Sequence, residues 1–166
     1  MNVRYLQVFL IILIATLISC GHQKDVQNLR EAKPIELYDT DSVLYALENY
    51  KGKLVLVHFW ADWCTHCRQE FPKIQKAYEK LNLQDFEILA VNAGQTKEHV
   101  FEIKMSFNLT FPLLVDEEAK TAEVYGVTGL PTSFFIDGNG KIRDKHIGWL
   151  TEKQILEIFN KLYEES

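Results

Sequence analysis

A chain of 166 residues with 47% apolar content can bury one good core, and about 150 residues is the usual size of a single domain, so one domain plus a leader is expected. Its formal charge of −5 leaves no basic footprint for nucleic acid, and the acidity reads as a solvated surface. The 3 cysteines, Cys20, Cys64 and Cys67, are an odd number that needs explaining.

The first stretch is a different material from the rest. Arg4 is followed by an apolar run from Val8 to Ile18 that ends at Leu17-Ile18-Ser19-Cys20. Spanning a bilayer takes about 20 residues, so a run of about 11 suits the apolar region of a secretion signal better than a membrane helix. The segment resembles a bacterial lipoprotein signal, which is cut just before a cysteine that becomes the lipid-bearing N-terminus. That resemblance implies a signal peptide at 1–19, a diacylglyceryl thioether and an acyl amide on Cys20, and a firm hold on a membrane, because one acyl chain alone binds only marginally. An uncut signal anchor is the alternative. Lipidation would account for the odd cysteine and leave Cys64 and Cys67 where disulfides persist. Residues 20–33 are polar and aperiodic, which suits a flexible tether to a domain at 34–166.

In the domain, Ile35 to Tyr38 reads as a short strand, and Asp41 or Ser42 is placed to cap a helix carrying Val43, Leu44 and Leu47 on one face. Leu54 to Trp60 is a nearly continuous apolar run, interrupted by His58, with the look of a strand buried on both faces. Trp63-Cys64-Thr65-His66-Cys67 follows it and opens a helix with Phe71, Ile74, Tyr78 and Leu81 at helical spacing, which Pro72 should kink rather than end.

A lone Cys-x-x-Cys also serves as half of a zinc site, but a structural site needs four ligands, and His58 or His66 on one tight turn would rarely close a tetrahedron. Buried structural cysteines fit badly with the polar Thr65 and His66 between them. As a redox dithiol the spacing makes sense, because two side chains on the same face of a first helical turn can form a disulfide with little backbone movement. Unpaired N–H groups at the helix start favour an anion, so Cys64 is read as the attacking thiolate and Cys67 as the residue that resolves the mixed disulfide.

Further along, Phe86 to Asn92 reads as a second core strand and Thr96 to Phe107 as a helix burying Val100, Phe101, Ile103 and Met105 or Phe107. A strand at Phe111 to Val115 and a helix at Glu118 to Tyr125 follow. Ser133 to Ile136 and Lys141 to Ile147 are joined by Asp137-Gly138-Asn139-Gly140, a strong hairpin signal. Thr151 with Gln154 forms a capping box for a last helix with Ile155, Ile158, Phe159 and Leu162 inward. This order describes an α/β fold, a central mixed sheet covered on both faces by helices.

Trp63-Cys64-x-x-Cys67 after a strand, Pro72, Leu130-Pro131-Thr132 before the hairpin and Gly148 after it together resemble the thioredoxin superfamily. Phe59-Trp60-Ala61-x-Trp63, Arg68-x-Glu70-x-Pro72, the helix and strand at about 95–115 and Asp137-x-x-Gly140-Lys141 are most similar to its TlpA/ResA group, envelope-anchored thiol-disulfide oxidoreductases with a helix-strand insertion. The resemblance implies a cis Leu130–Pro131 bond beside the dithiol, with the backbone of Leu130 free to pair with an extended substrate and the proline crowding out metal. It implies envelope proteins as substrates, apocytochrome c thiols among them, a membrane electron carrier as partner, no cofactor, and a monomer.

Around the thiols, an imidazole at His66 can stabilise the Cys64 thiolate and make the disulfide a stronger oxidant, similar to the oxidase DsbA, unless it is merely exposed. His58 stands where thioredoxins carry a buried proton-relaying acid, and is read either as a general base for Cys67 or as a hydrogen-bonded core residue. Gln95 occupies a position where ResA-like proteins place a glutamate, so that acid–base partner looks absent. Glu70 reads as a surface or helix-pairing residue, Trp60 as core, and Trp63 as a rim aromatic shielding the sulfurs. His22, His99 and His146 receive no role. The rival readings are a copper chaperone that uses Cys64, Cys67 and a histidine, since thiolates suit Cu(I), and a folding holdase with an incidental dithiol.

Overall fold

The computed structural model describes residues 30–166, so the expected signal, Cys20 and nearly all of the tether lie outside the described residues. Among the described residues no helix is long and apolar enough to cross a membrane. β1 (Glu36–Tyr38) and β2 (Leu44–Ala46) pair antiparallel as a small hairpin. The helix expected from Asp41 is therefore not formed; a single 3-10 turn follows β2 at Leu47–Tyr50. Its apparent cap belongs to a tight turn instead, in which the Asp39 carboxylate accepts the N–H groups of Asp41 and Val43, each at 2.8 Å, and Ser42 takes a left-handed φ of 62°. A short polar side chain that captures nearby N–H groups competes with helix formation.

The rest alternates as expected: β3 (Leu54–Trp60), α1 (Thr65–Tyr78), β4 (Phe86–Ala93), α2 (Lys97–Ser106), β5 (Leu113–Asp116), α3 (Lys120–Val124), β6 (Thr132–Ile136), β7 (Ile142–Ile147) and α4 (Glu152–Glu164). The five-stranded sheet has the order β5-β4-β3-β6-β7. β3 runs parallel to β4 and antiparallel to β6, so the sheet is mixed. β3 is buried along its whole length, and the alternation of a strand sends Leu54, Leu56 and Trp60 into one core and Val55, Val57 and Phe59 into the other. Helices α1, α2 and α4 fill the first core; Ala122 of α3, Tyr125 and Ile35 fill the second. Each fully buried Leu or Phe contributes about 1.5–3 kcal/mol.

Helix α1 runs through Pro72. Trp60 packs edge-on against Phe71 with centroids 4.8 Å apart, which locks α1 onto β3 directly beneath the dithiol turn. In α2 only Val100 and Ile103 are buried; Phe101, expected inside, faces outward, and of the alternatives Met105 and Phe107 it is Phe107 that packs against the core. The capping box of Thr151 and Gln154 is formed at the start of α4.

The topology sets the site. β3 and β4 end at the edge of the sheet where β6 begins and β7 ends, since Phe59 pairs with Thr132 and Thr132 with Ile147. Four connections meet there: the dithiol turn after Trp60, the Asn92–Gln95 turn, the Gly129–Pro131 loop and the Gly148–Leu150 turn.

Candidate active site

Cys64 is the N-cap of α1, with extended backbone (φ −82°, ψ 102°), and its Sγ accepts the Cys67 N–H at 3.2 Å. A sulfur in this place takes up one of the N–H groups a helix start leaves unpaired, and the same dipole favours negative charge on it. Cys64 and Cys67 are joined as a disulfide with Cα atoms 5.3 Å apart. Burial separates their roles: Cys64 keeps 7% of its surface and Cys67 keeps 0%, so an incoming thiolate or disulfide reaches Cys64 first.

Beneath the helix lies a polar group that the sequence reading placed on the surface. Glu70 is 0% exposed, its Oε1 accepts the Leu150 N–H at 2.6 Å, and its Oε2 faces His58 Nε2 at 3.7 Å. His58, also fully buried, meets the Ser133 hydroxyl through Nδ1 at 3.0 Å. Burial pushes the Glu70 carboxyl up to about 8, against the opposing pull of the Leu150 N–H and Lys73, and pushes His58 down to about 3. At neutral pH the two therefore stand as a protonated acid and a neutral imidazole rather than as an ion pair. Among the described residues neither Glu70 Oε2 nor His58 Nε2 has a hydrogen-bond partner, and the two atoms face each other. Glu70 lies one helical turn beyond Cys67 on the same buried stripe as Phe71 and Ile74.

The Leu130–Pro131 peptide is cis, Pro131 is buried, and its carbonyl accepts the Gly148 N–H at 2.9 Å. Leu130 packs against the core cluster that contains both cysteines, and neither its N–H nor its C=O is taken up by another backbone group of the described residues. Trp63 is 73% exposed. His66 is exposed on the first turn of α1.

The AhpC/TSA family profile matches residues 29–145. The chain belongs to the AhpC/TSA family. It is 39% identical over 119 residues to the thiol-disulfide oxidoreductase ResA of Geobacillus thermodenitrificans, covering 72% of this chain and 68% of that protein. Among solved structures it is similar to a thiol:disulfide interchange protein DsbE of Chlorobium tepidum (TM-score 0.74, 30% identity, 82% of this chain and 96% of that one). It is also similar to the exposed lipoprotein thioredoxin of Streptococcus pneumoniae (TM-score 0.66, 31% identity, 78% and 99%). The protein is a thiol-disulfide oxidoreductase on the thioredoxin fold.

The site corrects one sequence reading. Glu70 is no surface residue: it sits at a position of α1 whose spacing from Cys67, Phe71 and Ile74 marks it as inward-facing, and a carboxyl on a core stripe was the signal that could have found it. Gln95 supplies no acid, as read from the sequence, and α1 brings a buried carboxyl, Glu70, into the core. Among the described residues no three His, Cys, Asp or Glu side chains converge as a metal site.

Proposed function

We propose that this oxidoreductase works in the bacterial cell envelope, held to a membrane by lipid on Cys20 after removal of residues 1–19, and exchanges disulfides with envelope proteins. The Leu17-Ile18-Ser19-Cys20 box supports the anchor, and so does the likeness to a pneumococcal exposed lipoprotein thioredoxin. One observation carries the chemistry: a reachable sulfur capping a helix, disulfide-bonded to an enclosed one, with a proton-bearing carboxyl a turn below.

The cycle runs as follows. The Cys64 thiolate attacks one sulfur of a substrate disulfide, that S–S bond breaks, and the leaving thiolate takes a proton from solvent. Cys67 gives up its proton to solvent by way of the buried His58–Glu70 pair, and its thiolate attacks Cys64 Sγ and breaks the mixed disulfide. The second substrate sulfur leaves and is protonated from solvent. The substrate has then gained two electrons and two protons, the Cys64–Cys67 disulfide is formed, and Glu70 holds the proton it carries in this structure. His58, kept neutral, faces the Glu70 carboxyl through Nε2 at 3.7 Å and is the second member of the relay. The same steps in reverse, with a reduced membrane electron carrier as partner, restore the dithiol.

Leu130 and Pro131 hold the substrate strand, Trp63 covers its flank, and His66 favours the thiolate of Cys64. Apocytochrome c thiols are among the substrates that the TlpA/ResA resemblance of the sequence implies. The test is Cys67→Ser in cells: the variant should accumulate envelope proteins joined through Cys64, and a variant that traps none would remove this mechanism. Cys20→Ala should move the protein from the membrane to the soluble fraction.

A further inference from the structure

The backbone of the turn that delivers Cys64 to its helix is held by a side chain from another loop. Residues Ala61–Cys64 form a tight turn closed by the Cys64 N–H on the Ala61 carbonyl at 3.2 Å. The Asp62 N–H has no backbone partner; it donates to Gln95 Oε1 at 2.6 Å. The same oxygen accepts the side-chain amide of Asn92 at 2.9 Å, and the Gln95 N–H donates to Asn92 Oδ1 at 3.2 Å. Backbone donors on Gln95 Oε1 and Asn92 Oδ1 fix which way both amides point. Asn92 is 0% exposed and lies opposite Trp60 in the β3–β4 ladder. Gly94 turns the chain between them with φ 86°, and its N–H is taken by the Asp116 carbonyl at 2.9 Å. The clamp thus grows out of the rigid end of the sheet. From the other side, Arg68 of α1 donates to Asp62 Oδ1 at 2.6 Å, which offsets the one carboxylate in the turn.

We infer that Gln95 is a positioning residue for Cys64: its amide oxygen fixes the Asp62 turn, and so keeps Cys64 Sγ in line with the Cys67 N–H at the helix start. The inference rests on the reading of Cys64 as the nucleophile. Thiolate stabilisation at a helix start depends on that alignment and falls off within the first turn. A turn free to rock loosens it. Gln95 gives the turn its acceptor without adding an anion near the sulfur, whereas a carboxylate there would hold the turn and oppose the thiolate.

The test uses the full chain carrying Cys67→Ser, with Cys64 alkylated by iodoacetamide across pH and amide exchange followed at Asp62. Gln95→Met keeps the volume and removes the acceptor. It should expose the Asp62 amide to exchange and slow alkylation at pH 6 about threefold. In chains retaining both cysteines, the same substitution should make the disulfide a weaker oxidant. Gln95→Glu keeps the acceptor, so the Asp62 amide should stay protected while alkylation still slows. Should Gln95→Met fail to fold, Gln95→Glu decides alone, and fast exchange at Asp62 in it overturns the inference. So does a Gln95→Met protein whose Asp62 amide is freed while the alkylation profile and the potential stay where they were. Alkylation needs no protein substrate, so a failure to trap partners with Cys67→Ser would count against the proposed function and leave this result standing.

Discussion

Glu70→Gln isolates the buried proton. The substitution keeps an oxygen for the Leu150 N–H and removes the ionisable group. In the folded chain the Glu70 carboxyl titrates near about 8 instead of its ordinary 4.5. Between those values the unfolded chain gives up the proton and the folded chain keeps it. Stability is therefore fully present below pH 4.5 and drains as pH rises toward 8, at about 1.4 kcal/mol per pH unit. By pH 7 the wild-type chain should have lost about 3 kcal/mol that the glutamine variant does not lose. Urea denaturation of the oxidised full chains at pH 4.5, 7 and 8.5 measures it. The stability gap between variant and wild type should open by that amount up to pH 7 and level off above about 8. Burial also holds His58 at about 3, but the resulting acid-side loss is common to both chains and cancels in the gap. A gap that stays flat would refute the buried acid. One that closes as pH rises would mean that Glu70 is ionised and paired with an imidazolium. In turnover, the same variant should slow resolution of the mixed disulfide about a hundredfold, the scale of a lost general acid–base group.

Three further outcomes follow from contacts described above. Ser133→Ala leaves the buried His58 Nδ1 without its partner and should cost about 1–3 kcal/mol in denaturant unfolding. Gly138→Ala would bring a Cβ within 2.8 Å of the Gly52 Cα, a side-chain atom against backbone, so its melting temperature should drop by several degrees, about 4–8 °C for each kcal/mol lost in a small domain. Trp63→Ala removes an aromatic that is 73% exposed beside the nucleophile. Its KM for a protein disulfide should rise about tenfold or more while its melting temperature holds, and equal KM values would show that the indole touches no substrate.

Much of this molecule can be read from its residues because the signals are local or periodic. The branched apolar run of β3, the dithiol at the head of a helix, the Asp137–Gly140 turn and the Thr151–Gln154 box each announce themselves within a few positions. What could not be read depends on distant partners. Asp39, rather than the residues of the expected helix, decides the fold of 41–43 by drawing in two N–H groups. Phe101 and Met105 look like core residues by type, but α2 turns only Val100 and Ile103 inward. Glu70 looks solvated by type, and its burial depends on a Leu150 N–H 80 positions away and an imidazole from β3. Gln95 was legible as a departure from its relatives but not as a clamp, since its contact with Asp62 spans 33 positions.

The chain comes into the fold at Arg30 to Ala32, where the Arg30 carbonyl accepts the Ile142 N–H and the Ala32 N–H meets the Gly140 carbonyl, each near 2.8–2.9 Å. That is the start of β7, the pole of the sheet farthest along the strand from Ile147 and the sulfurs. The first described residues are thus pinned at the stern of the molecule, while the reactive thiol rides at the bow.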